Sequence, residues 1–116
     1  MSLKLADLDH YVQALQADCA GLEGVSVLVL GHVGDGNLHL SLMLEGPDHP
    51  RDAVDAVVYN TLRRFEGSSV SAEHGIGLEK RAALKAAQPA PVRAAMLALK
   101  AAYDPGNRLN PGKVLG

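Results

Sequence analysis

The segment HVGDGNLH at residues 32–39 constrains this chain most strongly, because its glycines require a tight reversal of the backbone. Asp35-Gly36 favours a two-residue type I′ turn, so the segment is predicted to close a β-hairpin. In that register His32 pairs with His39, and the Cβ atoms of directly opposed residues lie roughly 4.5–5.5 Å apart. The sequence therefore predicts two imidazoles on one face, close enough to share one ion or one small anionic ligand. The alternative is a pair of exposed histidines at the mouth of a hairpin.

The residues on either side of this turn are predicted to form strands with two different faces. Residues 25–30 are a β-branched run and residues 38–44 alternate with period two. One face is wholly aliphatic and must be covered by helices. Its members are Val25, Val27, Val29, Leu38, Leu40, Leu42 and Leu44. The opposite face suits contact with a ligand or another domain, and it holds Leu28, Leu30, His32, His39, Ser41 and Met43.

A third candidate ligand lies in the sequence SAEHGIG at residues 71–77, which overlaps a short β-prone stretch at residues 68–72. Two histidines and one glutamate match the three protein ligands of an open catalytic zinc site. Adjacent residues of an extended chain point in opposite directions. We therefore expect Glu73 to complete the metal site with His32 and His39, and His74 to act as general base. The alternative is a loop before a helix, with solvated polar groups.

Two apolar stripes at helical spacing predict helices that cover the aliphatic face of the hairpin. The stripe within residues 7–20 is Leu8, Val12, Leu15 and Cys19. The stripe that follows Pro50 is Val54, Val58, Leu62 and Phe65. Pro50 suits a first helical turn with Asp48 or His49 near the cap, and Gly67 suits the exit. His10 and His49 are expected at the surface.

Further helices are predicted over about residues 78–87 and from Val92 onwards, separated by Pro89 and Pro91. Met96 is expected to fill the core rather than to bind a ligand. The order of elements predicts an α+β fold, with a small antiparallel sheet covered by helices as in half of a ferredoxin-like fold, and C-terminal helices. Residues 1–3 are interpreted as an expression remnant that can be left out of the fold.

The composition favours a cytoplasmic protein without a transmembrane segment, since no apolar run approaches the roughly 18 residues of a membrane span. The single cysteine, Cys19, cannot form an internal disulfide, and its place in an apolar stripe predicts burial, which fits a reducing compartment. A net charge of −2 with scattered lysines argues against nucleic acid as a partner.

Three motifs together resemble the C-terminal portion of FAD-linked oxidases, the D-2-hydroxyacid dehydrogenases of the vanillyl-alcohol oxidase superfamily. The motifs are residues 31–39, the sequence EHGIG at residues 73–77 followed by EKR at 79–81, and YDPGNRLNPGKVL at residues 103–115. They follow the family's order and spacing over nearly the whole chain. The family includes glycolate oxidase large subunits, D-lactate dehydrogenases and D-2-hydroxyglutarate dehydrogenases. Ser41 stands where hydroxyglutarate-type members often carry asparagine, which argues against a dicarboxylate substrate.

The resemblance implies a role for each matching residue. His32, His39 and Glu73 would hold a divalent metal, usually zinc, which grips the hydroxyl and carboxylate oxygens of the substrate. His74, from its match to the family's histidine, would remove the hydroxyl proton as hydride passes to the flavin. A bound cation makes this easier because it lowers the pKa of a coordinated oxygen acid. Asn110 and Lys113 of the Asn-Pro-Gly-Lys ending would run back towards the flavin ring, although a terminal Pro-Gly turn also has a plain structural interpretation.

The family's enzymes are several hundred residues long, whereas this chain has the length of one small domain. It contains no glycine-rich nucleotide loop after a strand. We expect residues 4–116 to be the substrate and metal portion of an FAD-linked oxidase, with the FAD-binding domain absent and the fragment inactive alone. The expected partners are that domain with its FAD, a small 2-hydroxyacid, an electron acceptor and a second copy in a homodimer.

Two other functions fit the same residues. A self-contained metal-dependent hydrolase would use Glu73 or His74 to activate zinc-bound water, and it would require no flavin. A non-catalytic interaction domain would use the aliphatic sheet and helices to bind a partner, and it would require no metal.

Overall fold

The alternating residues on both sides of the HVGDGNLH turn form an antiparallel hairpin in the computed structural model, which describes residues 1–46 and 51–115. Strand β1 is Val25–His32 and strand β2 is Asn37–Leu44. Their burial alternates as predicted: Val27 is partly buried, whereas Leu28 and Leu30 on the opposite face are exposed. The two-faced hairpin is therefore confirmed.

Two helices complete the first part of the chain. Helix α1 is Leu8–Cys19, preceded by a single 3-10 turn, and α2 is Arg51–Leu62. Helix α1 packs against both α2 and β1, so it lies between the second helix and the hairpin. The buried apolar side chains of the core are Leu3, Leu8, Tyr11, Leu15, Cys19, Leu38, Val54, Val58, Leu62 and Val70.

Most of both predicted stripes is buried, with small differences at their edges. Tyr11 is buried in α1 in addition to the predicted residues, while Val12 is only partly buried, as is Phe65. Helix α2 ends at Leu62, before Gly67. His10 is exposed, as expected. The predictions made for Asp48, His49 and Pro50 lie outside the described residues.

The first three residues take part in the fold, which corrects our expectation that they could be left out of it. Ser2 forms isolated bridges with Asn37 and with Ser69, and Leu3 is only 6% exposed. These contacts satisfy backbone groups that would otherwise lack partners. The β-prone stretch at residues 68–72 does not become a third strand, because Ser69 alone pairs with Ser2.

The chain divides into two compact units, Met1–Glu73 and His74–Gly116. The second unit contains α3, Arg81–Ala87, and α4, Ala90–Tyr103. Helix α3 starts later than predicted, because a turn that begins at the left-handed Gly77 occupies the preceding residues. Helix α4 includes Pro91 in its first turn, where a missing N–H costs nothing. Met96 is partly buried rather than in the core.

The helices and the two-stranded sheet of the described residues confirm the predicted α+β class. None of the helices in the described part of the chain is both long and apolar enough to cross a membrane. Cys19 is buried and free, as predicted, and this burial raises the pKa of its thiol.

Candidate metal centre

The turn between β1 and β2 is longer than the two-residue turn that the sequence predicts. Val33–Asp35 form one 3-10 turn, and Gly36 closes it in the left-handed conformation with φ 72°. The strand register moves accordingly, so that His32 pairs with Asn37. The prediction that His32 and His39 are directly opposed is therefore wrong, because the left-handed glycine ends a longer loop instead of lying at the centre of a short turn.

The two imidazoles are nevertheless neighbours. The partner of His32 has moved from His39 to Asn37, a shift of two positions, and an even shift leaves every side chain on its predicted face. Diagonal neighbours across an antiparallel pair remain within reach of aromatic side chains. The ring centroids of His32 and His39 lie 5.9 Å apart with their planes inclined at 71°.

Glu73 brings a carboxylate to this pair. Its Oε2 lies 3.1 Å from Nε2 of His39. One nitrogen of His32, one nitrogen of His39 and one oxygen of Glu73 all lie within 4.8 Å of one another. Zinc ligands about 2.0–2.1 Å from a tetrahedral metal are roughly 3.3 Å apart. The three donors are thus close to the spacing of a metal site, and all three belong to the first unit.

Asn37 is a further member of this cluster that the sequence reasoning did not single out. Its side chain donates a hydrogen bond from Nδ2 to Oε2 of Glu73 at 3.0 Å. The residue is only 6% exposed. The signal that could have identified it is its position between two candidate ligands in the same turn, which becomes significant only in the observed register.

An open pocket of about 420 Å³ lies beside the cluster. Its lining residues are Ser2, His32, Asp35, Asn37, Ser71, Ala72 and Glu73. The side chains of His39 and Glu73 are 38% and 51% exposed, so a ligand can reach both. Hydroxyl, amide and carboxylate groups dominate this lining, which suits a small polar ligand rather than an apolar one.

His74, the predicted general base, is exposed and is the first residue of the second unit. It follows Glu73 directly in the chain and precedes Gly75, which has a left-handed φ of 70°. Its role as a proton acceptor remains a prediction.

Asn110 and Lys113, the predicted cofactor-binding residues, lie together in a turn near the end of the second unit. The backbone N–H of Lys113 donates to the carbonyl of Asn110 at 3.1 Å, and Asn110 has a φ of 46°. Nη1 of Arg81 donates to the carbonyl of Gly112 at 2.7 Å. The turn is thus fixed by contacts within the unit, and both side chains are exposed.

Asp104 fixes the beginning of the YDPGNRLNPGKVL motif at residues 103–115. Its carboxylate accepts hydrogen bonds from the backbone N–H groups of Arg108 at 2.8 Å and Leu109 at 2.9 Å, and it pairs with Nζ of Lys100. The Lys100 contact, followed by the two backbone bonds, lowers the pKa of Asp104 to about 2. A single aspartate therefore fixes the loop that leads to the Asn-Pro-Gly-Lys turn.

Together, the fold and the cluster define a small α+β domain with two histidines and a glutamate at the mouth of a hairpin. Residues 1–114 match the family described as FAD linked oxidases, C-terminal domain. The chain belongs to this family, which confirms the resemblance carried by its three motifs.

Curated relatives of the chain agree with this assignment. It is similar to the mitochondrial D-2-hydroxyglutarate dehydrogenase of Danio rerio, with 37% identity over 116 residues, which cover 99% of this chain and 21% of the relative. It is similar to glycolate oxidase subunit GlcD of Bacillus subtilis, with 34% identity over 114 residues, which cover 94% of this chain and 24% of the relative. A probable mitochondrial D-lactate dehydrogenase of Danio rerio is 41% identical over 92 residues, which cover 75% of this chain and 18% of the relative. The chain spans about a fifth of the length of these relatives.

Proposed function

We propose that this chain is the metal- and substrate-binding part of a flavin-dependent dehydrogenase, which oxidises a D-2-hydroxyacid to the 2-oxoacid. The family and the names of its relatives support the reaction class. The observation that carries the proposal is the cluster of His32, His39 and Glu73, whose donor atoms lie within 4.8 Å of one another. Such a cluster beside a polar pocket is a place where a hydroxyacid can be held.

The donor set fits a divalent cation. Imidazole nitrogen and carboxylate oxygen are ligands that zinc accepts, and three protein ligands leave a coordination position for substrate. His32, His39 and Glu73 would hold the ion. A cation there supplies Lewis acidity that makes a contacted hydroxyl easier to deprotonate, and FAD in its own domain supplies the hydride acceptor.

The other steps fall to residues of this chain. The C–H bond of the substrate gives up a hydride, and the proton of the substrate hydroxyl passes to an imidazole nitrogen of His74. The C–O bond thereby becomes a carbonyl. The hydroxyl groups of Ser2 and Ser71 in the pocket lining can donate hydrogen bonds to substrate oxygens. We assign contact with the flavin cofactor to Asn110 and Lys113.

The first test is a calorimetric titration of the metal-free chain with Zn²⁺. We expect one ion to bind per chain, binding to be lost in His32→Ala and His39→Ala, and binding to be much weaker but still measurable in Glu73→Ala. The matched control is His10→Ala, which removes an exposed histidine of α1 outside the cluster. The ligand assignment is wrong if the wild-type chain binds no metal, or if the three substitutions leave binding unchanged.

A second test separates the dehydrogenase from the hydrolase and from the interaction domain. The chain is assayed with an FAD-binding domain supplied separately, and bleaching of the flavin is followed on addition of D-lactate, glycolate or D-2-hydroxyglutarate. We expect reduction of the flavin with at least one of these acids, and a slower reduction in His74→Ala. Ester hydrolysis by the zinc-loaded chain without flavin would instead support the hydrolase, and the absence of both activities would support the interaction domain.

A further inference from the structure

The backbone of Asn37 contacts three neighbouring residues. Its backbone pairs with His32 across the hairpin and forms a bridge with Ser2. Its N–H also donates to Oδ1 of Asp35 at 3.0 Å. These contacts fix the Cα position from which the side chain of Asn37 extends.

The side-chain amide of Asn37 is directed at Glu73. The Nδ2–Oε2 distance is 3.0 Å, and the same carboxylate oxygen lies 3.1 Å from Nε2 of His39. Glu73 belongs to a segment without regular secondary structure and its side chain is 51% exposed. Two side chains, those of Asn37 and His39, thus contact Oε2 of Glu73.

We propose that Asn37 is a positioning residue, which holds the Glu73 carboxylate in the geometry that metal binding requires. This inference rests on the proposed metal site. A carboxylate offers about four lone-pair positions, so Oε2 can accept from Asn37 while the same group also binds a cation. Partners of this kind orient ligands, and their loss typically costs 10- to 100-fold in metal affinity.

The chemical nature of asparagine suits this role. Its amide donates a hydrogen bond without carrying a charge, so it does not repel a nearby cation as lysine or arginine would. An aspartate at the same place would lack the N–H donor and would set a second negative charge against Glu73. Substitution by aspartate thus keeps the side-chain volume, removes the donor and adds this charge, whereas substitution by alanine removes both the donor and the volume.

The test uses Co²⁺ as the probe, because its visible absorption reports coordination geometry as well as occupancy. The dissociation constant and the spectrum are measured for the wild-type chain, Asn37→Ala, Asn37→Asp, Glu73→Ala and the double variant with Asn37→Ala. Asn60→Ala, which removes an exposed asparagine of α2, is the matched control. The thermal midpoint of each metal-free protein is recorded in parallel.

We expect Asn37→Ala to weaken Co²⁺ binding by roughly 10- to 100-fold and to change the spectrum of the bound ion. In the Glu73→Ala background the same substitution should have little further effect, because the two residues act through one interaction. Asn37→Asp keeps the side-chain volume and lacks the donor, and we expect the spectrum of the bound ion to change there too.

The inference is overturned if Asn37→Ala leaves the dissociation constant and the spectrum unchanged, or lowers only the metal-free thermal midpoint. Additive effects of Asn37→Ala and Glu73→Ala on affinity would overturn it equally. If the wild-type chain binds no Co²⁺, the proposed metal site fails and this inference fails with it. The two failures are thus distinguished by the wild-type titration alone.

Discussion

The rings of Tyr11 in α1 and Phe65 after α2 meet edge to face, with centroids 5.6 Å apart and planes at 84°. Such contacts contribute beyond the area they bury. The Tyr11 ring is fully buried, yet its hydroxyl has no hydrogen-bond partner among the described residues. Burial, with smaller effects from Cys19 and Tyr59, raises the pKa of this hydroxyl above its ordinary value. The aromatic ring therefore stabilises the core while its polar atom opposes burial.

Replacing Tyr11 with phenylalanine should stabilise the chain. The variant keeps the ring contact with Phe65 and removes a buried oxygen without a partner. Burying such an oxygen in the folded wild-type chain costs about 1–3 kcal/mol. We expect the free energy of unfolding to rise by about 1 kcal/mol in urea titrations followed by circular dichroism. Tyr59→Phe, at a partly buried tyrosine of α2, is the control and should give no such gain. A less stable Tyr11→Phe variant would mean that the hydroxyl makes a favourable contact.

The turn that carries the candidate metal centre should tolerate a methyl group at Gly34 but not at Gly36. Gly36 has a positive φ, and an added Cβ would lie 2.1 Å from the carbonyl oxygen of Leu3. Backbone strain of this kind costs about 1–3 kcal/mol before the clash is counted. We expect Gly36→Ala to lower the free energy of unfolding by at least about 2 kcal/mol and to weaken Zn²⁺ binding.

Gly34→Ala is the matched control, because it adds the same methyl in the same loop, with no atom within 4 Å of the new Cβ. Its stability should stay within about 0.5 kcal/mol of the wild type. Equal effects of the two substitutions, measured by urea unfolding and by calorimetry, would show that the close approach of Leu3 does not constrain the turn.

The candidate metal centre shows which features of a hairpin can be predicted from a sequence. The face of each strand follows from period-two alternation, and an error of two positions in register leaves that face unchanged. The pairing of His32 depended on the type of turn, which is set by the backbone angles of several loop residues. The rings of His32 and His39 therefore lie close together as expected, but as diagonal rather than directly opposed neighbours across the two strands.

Other contacts leave no periodic signal. Ser2 joins β2 and Ser69 through single bridges, and one residue cannot show a repeat. Tyr11 and Thr61 are buried, although their polar atoms place them outside an apolar stripe. The proposed role of Asn37 depends on its hydrogen bond with Glu73, 36 positions later in the chain, and only the folded arrangement brings the two together.

The contact between α1 and α2 should depend more on a hydroxyl than on an ion pair. Thr61 is only 2% exposed and donates to Oδ2 of Asp18, whereas Nη2 of Arg64 contacts the same oxygen at 2.6 Å from a half-exposed side chain. Hydrogen bonds to charged groups contribute about 1.5–3 kcal/mol, while exposed ion pairs contribute about 0–1 kcal/mol. We expect Thr61→Val to destabilise the chain by about 2 kcal/mol and Arg64→Gln by less than about 1 kcal/mol.

Urea unfolding at low and high salt separates these two contributions. The effect of Arg64→Gln should shrink as salt screens the exposed pair, whereas the effect of Thr61→Val should persist. The reverse order of the two effects would indicate that the ion pair, and not the buried hydroxyl, connects the helices.

Asp104 should make the loop at residues 104–109 sensitive to acid. Its pKa is lowered from 3.8 to about 2, first by Lys100 and then by the N–H groups of Arg108 and Leu109. A carboxyl group with a lower pKa in the folded state stabilises that state at pH values above its unfolded pKa. This stabilisation is lost as the pH falls through the folded pKa of about 2. We therefore expect the loop to be ordered at neutral pH and to loosen between about pH 4 and pH 2.

Asp104→Asn should remove this dependence on pH. The variant keeps the size of the side chain but lacks the charge, so it should be less stable than the wild type at pH 7 and approach it near pH 2. The measurement is the amide chemical shift of Arg108 and Leu109 by NMR, together with thermal unfolding, across the same range of pH. Glu66→Gln, which neutralises an exposed carboxylate of the first unit, is the control and should retain the wild-type response of both amides. A midpoint near 3.8 for these amides in the wild type would show that Lys100 and the backbone bonds do not hold Asp104 in its charged form.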